Sequence, residues 1–135
     1  MLGGGIYITG TVTDTVSALT NTIIANSTGQ DCVDQASPIN LAETLIQDNT
    51  CSPTLSGDPN LGPLQNNGGA TETHALLPDS PAIDQIPLGV NGCGTTFTTD
   101  QRGVNRPTGN GCDLGAYEFN LAQSGSLAKP QVKTK

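Results

Sequence analysis

Two arginines four residues apart, Arg102 and Arg106, stand close in sequence to Asp100, Asp113 and Glu118 within the stretch DQRGVNRPTGNGCDLGAYEF, residues 100–119. They are the only arginines in the chain. A guanidinium presents a planar fork of donors that a carboxylate can meet with two parallel hydrogen bonds. The chemistry this spacing supports is therefore a structural ion-pair lock, with Asp84 further upstream as another carboxylate candidate. Catalysis would ask for more. A calcium-dependent polysaccharide lyase needs an arginine or lysine base beside calcium-binding carboxylates, and a glycosidase needs carboxylates facing one groove. Here both arginines lie in turn-rich sequence. Asp58, Asp79, Asp84, Asp100 and Asp113 are scattered singly, mostly beside Pro or Gly, where Asp caps turns. The one histidine, His74, lies in a strand-like THALL run without a Ser or Cys partner, so it reads as a strand residue rather than a general base. No catalytic residue is assigned.

The four cysteines form a second constellation. Cys32 and Cys51 are spaced identically to Cys93 and Cys112, and each pair encloses a loop rich in Gly, Pro or Asn. Four cysteines permit three connectivities, and sequence alone does not choose between them. Sequential pairing is the expectation, each bridge contributing on the order of 3 kcal/mol through the unfolded chain. A zinc site is the rival, but close Cys-x-x-Cys spacing is absent and His74 is remote from every cysteine. Disulfides imply an extracellular or cell-surface location. Because the N-terminus lacks the basic and apolar regions of a signal peptide, the chain is expected to begin inside a longer secreted protein.

The elements that position these residues follow from composition. Large apolar side chains are scarce: hydrophobic residues are 34%, charged residues 13%, and the chain holds 17 Gly and 9 Pro among 135 residues. Abundant Thr, Asn and Ser disfavour helices, since Thr is stiff at its first torsion and Asn and Ser compete for backbone hydrogen bonds. Short strands joined by many turns are favoured. The net charge of -7 argues against a nucleic-acid surface. No apolar run is long enough to span a membrane.

Along the chain, residues 3–28 read GGGIYITGTVTDTVSALTNTIIANST. Ile6 and Ile8 alternate with Tyr7, Val12, Thr13 and Val16 follow, and Leu19, Asn21 and Ile23 alternate again. Such short β-branched strands suit a parallel solenoid, with Asn21 or Asn26 as a candidate rung of an amide ladder. Between Gly29 and Cys51, residues Leu41, Leu45 and Ile46 fit either a short apolar run in a bridged loop or a single helical turn. Asn67-Gly68-Gly69 marks a tight turn, a strand runs from His74 to Leu77, and Pro81, Ala82 and Ile83 form another short piece ending at Asp84. Asn26-Ser27-Thr28 is a formal glycosylation sequon.

The GGGIY start with TVT and LTNTIIAN resembles one coil of the right-handed parallel β-helices of the pectate-lyase-like superfold. DPNLGPL, NNGGATETHALLPDSPAID, the DQRG and RP pair and CDLGAYE, in that order, resemble the choice-of-anchor Q domain, a module near the C-terminus of bacterial surface and secreted proteins. The resemblance covers roughly residues 21–119. Ala70 stands where the family often has proline, and Asp79 where it often has glycine. It implies an all-β chain, the C-terminal fragment of a right-handed parallel β-helix. Residues 1–28 would be a terminal coil, 29–119 an irregular, disulfide-pinned closing module, and 120–135 a disordered tail or linker. The expected function is a non-catalytic structural and capping module of a secreted or cell-surface protein, possible adhesion included. Its neighbours would be the upstream coils of the parent chain and a surface polysaccharide or host-surface ligand. Two other readings are the end piece of a carbohydrate-active enzyme, a polysaccharide lyase or glycoside hydrolase whose groove lies upstream, and a Ca2+-dependent carbohydrate or surface binder. No cofactor is assigned beyond that calcium.

Overall fold

A computed structural model describes residues 5–8, 18–35 and 39–121. Their regular elements are nine strands, β1 to β9, and one 3-10 turn at Val90–Gly92, an all-β arrangement of small sheets. The expected strand at Val12, Thr13 and Val16, the first glycines and most of the C-terminal tail lie outside the described residues.

The first half stacks in parallel. β1 (Ile6–Ile8) pairs with β3 (Cys32–Asp34) in the register Ile6 to Cys32 and Ile8 to Asp34. β2 (Leu19–Ile24) pairs with β4 (Leu41–Ile46), Leu19 opposite Leu41 and Ile24 opposite Ile46, and β4 pairs in turn with β5 (Leu55–Ser56). One segment thus lies directly on the next. β4 is the middle strand of its sheet, and Thr44, Leu45 and Ile46 are each fully buried, as a strand covered on both faces must be. Such a strand reads as a continuous apolar run, which Leu45-Ile46 supplies. This settles the open alternative at Leu41, Leu45 and Ile46: the segment is strand, because its groups complete ladders with β2 and β5 that a helical turn would break.

From Leu61 onward the pairing changes. β6 (Leu61–Gln65) and β7 (Thr73–Leu76) form an antiparallel hairpin with a register shift between Leu61 and Leu64. β8 (Ile86–Pro87) and β9 (Gly111–Cys112) are antiparallel as well. Pro63 inside β6 has no N–H to give, so it fits only a two-stranded sheet in which one edge stays unpaired. The short piece expected from Pro81 to Asp84 is a turn, with Asp84 at φ 57.

One core joins the two halves. Leu45 of the parallel stack packs in the same cluster as Ala75, Leu76, Ala82, Ile86, Cys93, Cys112, Leu114 and Tyr117, with Ile23 and Leu55 against it. Truncating a residue such as Leu45 to Ala would cost about 2–5 kcal/mol through lost transfer energy and a cavity. Among the described residues, no helix is long and apolar enough to cross a membrane.

Candidate functional site

The site is built by the turns between β8 and Phe119. Asp100 is its hub. Its Oδ1 accepts the backbone N–H of Arg102 at 2.8 Å and of Val104 at 3.0 Å, an Asp-capped turn of the kind that follows from Asp ahead of Arg-Gly. Its Oδ2 accepts Arg102 Nε at 2.9 Å, Arg102 Nη2 at 2.7 Å and the Glu118 N–H at 2.9 Å. Arg102 Nη2 also donates to the Glu118 carbonyl at 2.7 Å. The guanidinium carbon sits 3.5 Å over the Tyr117 ring. Burial pushes the Asp100 carboxyl up, yet the bonds from Glu118, Arg102 and Val104 outweigh it and hold the group below its ordinary value.

Arg106 forms the second lock. Its Nε lies 3.2 Å from Glu118 Oε2, both side chains being almost wholly buried, and its Nη2 donates to the Gly115 carbonyl at 2.6 Å. Glu118 is fully buried and accepts the N–H of Thr108 at 3.0 Å and of Asp113 at 3.2 Å. Asp113 accepts Asp84 N–H at 2.8 Å and Phe119 N–H at 2.5 Å. Burial, and secondarily the charges of neighbouring carboxylates, raises both Asp113 and Glu118 above their ordinary values.

The six residues expected at an ion-pair lock are therefore brought together, but in two roles. Arg102–Asp100 and Arg106–Glu118 are ion pairs. Asp84 and Asp113 were expected beside an arginine; among the described residues neither makes an ion pair, and both carboxylates hold backbone N–H groups instead, Asp84 taking Gly111 N–H at 3.0 Å. The reason is supply: two guanidiniums are committed to Asp100 and Glu118, while the turns at 84, 111 and 119 leave buried donors that must be met.

The disulfides are Cys32–Cys51, with Cα atoms 5.9 Å apart, and Cys93–Cys112, at 5.8 Å. The first ties β3 to the turn after β4. Beside it, Asp31 and Asp48 exchange bonds reciprocally: Asp31 N–H donates to Asp48 Oδ2 at 2.9 Å and Asp48 N–H to Asp31 Oδ2 at 3.1 Å. This exchange staples successive layers, and nothing in the spacing of the two aspartates announces it.

Asn21 does not form an amide rung. It sits at φ 53, the facing position in β4 is Glu43 at φ 44, and Asn21 Nδ2 donates to the Asn91 carbonyl at 3.0 Å. Asn91 in turn donates through Nδ2 to Glu43 Oε2. Both strands kink to the left-handed region at one level, and the 3-10 turn fills the notch. At Asn26 the backbone N–H donates to Gln47 Oε1 at 2.7 Å. Sequence reading missed Asn91 and Glu43; Asn91-Gly92 was the one visible signal, a dipeptide that favours positive φ.

His74 is exposed at the hairpin, with Nδ1 2.8 Å from the Gly62 carbonyl. It lines a cavity of about 440 Å³ between β2, the β6–β7 hairpin and residues 114–117. Among the described residues, no three His, Cys, Asp or Glu side chains converge as metal ligands. Set against known proteins, the chain matches no family model, no curated sequence and no solved structure.

Proposed function

We propose that this chain is a non-catalytic capping module, the closing end of a right-handed parallel β-helix in a secreted or cell-surface protein of the choice-of-anchor Q type. The observation that carries it is the change of pairing within one core. Parallel strands stack layer on layer as far as Leu55–Ser56, and the chain then turns to antiparallel pieces that share that core and are pinned by a disulfide and two buried ion pairs. A stack of parallel strands exposes an apolar cross-section and an unpaired edge at its end, and both invite further strands. Irregular, cross-linked turns cover the first and deny the second. Two disulfides fit an oxidising compartment.

The test is an in-frame fusion of the whole chain behind a parallel β-solenoid of matching cross-section, compared by light scattering with the same fusion ending at Ser56. The full fusion is expected to be monodisperse and the shortened one to associate open-endedly. Equal behaviour of the two would sink the capping role.

A further inference from the structure

We propose that the cavity between β2, the β6–β7 hairpin and residues 114–117 binds a short neutral saccharide. The cavity is about 440 Å³, within the range of small-molecule sites of roughly 300–1,000 Å³ and roomy enough for a pyranose ring or two. Its accessible apolar lining is Ile23, Leu61 and Leu64, backed by buried Leu76, Leu114 and Tyr117, and its polar groups include Asn26, Glu72, His74 and Gln101.

Charge narrows the ligand. The lining includes no Lys or Arg and does include the Glu72 carboxylate, on a chain of net charge -7, so an anionic ligand is repelled. Polarity narrows it again. A purely hydrocarbon ligand would strip water from Glu72, His74 and Gln101 without replacing those hydrogen bonds. The carboxylate accepts only. The His74 ring, donating through Nδ1 to the Gly62 carbonyl, is left with Nε2 as its acceptor when neutral. The Gln101 amide spends Nε2 on Thr71 Oγ1 at 2.7 Å and on the Glu72 carbonyl at 3.4 Å, which leaves its carbonyl oxygen to accept. A rim of three acceptors and the Asn26 amide over an apolar wall selects a ligand with several hydroxyls, which both donate and accept, and an apolar C–H face, which is the chemistry of a neutral sugar ring.

The wall is also held in place. Tyr117 is clamped under Arg102, and Gln101 N–H donates to the Ala116 carbonyl at 3.2 Å, so the cavity is preformed rather than assembled on binding. The proposal does not depend on the capping role, and either can fail without the other.

The experiment uses the full chain, oxidised and 15N-labelled, titrated with cellobiose, maltose, lactose and mannobiose, and separately with galacturonate and with trilysine. At least one neutral disaccharide is expected to shift the amides of residues 64, 72–74, 101 and 114–117 saturably at millimolar concentration. Ala116→Phe, at an exposed position lining the cavity, is expected to weaken that binding at least about tenfold while leaving the remaining spectrum dispersed. Glu72→Gln, also exposed, should weaken it several-fold without altering the fold. The proposal is overturned if no neutral sugar shifts these amides, if the shifts fall elsewhere, if galacturonate or trilysine binds there in preference, or if Ala116→Phe binds unchanged.

Discussion

The guanidinium of Arg102 lies 3.5 Å above the ring of Tyr117 while gripping Asp100 with two nitrogens, so the turn at 100–104 and the final segment at 117–119 are locked by one side chain. Lysine cannot reproduce that fork or stack. Arg102→Lys is expected to cost about 1.5–3 kcal/mol, because Asp100 keeps a cation and its backbone donors but the forked bond to it and the bond to the Glu118 carbonyl are lost. Tyr117→Leu keeps the ion pair and loses the stacking, on the order of 1–2 kcal/mol. Urea midpoints of the two variants decide it, and a loss under about 1 kcal/mol for Arg102→Lys would show the lock to be decorative.

The hairpin turn presses on the same arginine. Gly69 has φ 82, and a Cβ there would stand 2.7 Å from Arg102 Cα; neighbouring Gly68 has φ 97 and open space around it. Gly68→Ala therefore suffers backbone strain alone, about 1–2 kcal/mol. Gly69→Ala adds a clash with backbone and is expected to lose clearly more, with shifts in the amide signals of 100–104. Equal melting temperatures for the two would show that the turn and the lock are uncoupled.

Much of this fold is legible in the order of the amino acids. The β-branched run around Leu19–Ile24 and the turn dipeptides point to short strands, and Arg102, Arg106 and Asp100 stand out because two arginines among so few charges must meet carboxylates. Pairings set by tertiary supply and demand are not legible in the same way. Asp84 and Asp113 hold backbone donors whose burial depends on where β8 and β9 meet. Asn91 fills a notch made by positive φ at Asn21 and Glu43, two residues that share no local signal. The antiparallel direction of β6 and β7 depends on the loop between them, and period-2 patterning is the same in either direction.

The two disulfides should matter differently. Each closes a loop of equal length, so the entropic contribution is alike, about 3 kcal/mol. Cys93 and Cys112 are both in the core cluster, whereas Cys51 is only half-buried. Replacing Cys93 and Cys112 with Ser buries two hydroxyls that need partners, against one at Cys32, and the extra one costs a further amount of about 1–3 kcal/mol. The Cys93→Ser/Cys112→Ser pair is expected to unfold at lower denaturant than Cys32→Ser/Cys51→Ser, and the reverse order would refute the shared-core account.

Acid should first strengthen the fold and then weaken it. Asp113 and Glu118 have folded-state values raised above the ordinary 3.8 and 4.5, so between each ordinary value and its raised one the folded chain holds more protons than the unfolded one. Stability then rises as pH falls through that window and is complete below the ordinary values. Asp100 has the opposite sign: its value is lowered from 3.8, so its contribution is present above that value and is lost as pH falls through the lower folded-state one. The maximum should therefore lie in mild acid, close above the ordinary carboxylate values, rather than at neutrality. Glu118→Gln removes one titrating group while keeping one acceptor for Thr108 or Asp113, and should flatten the rise from neutrality without moving the fall at lower pH. Chemical denaturation across pH 3 to 8 reads both limbs; a profile that declines steadily from neutral pH, or one that Glu118→Gln leaves unchanged, would contradict the assignment of these two buried carboxyls.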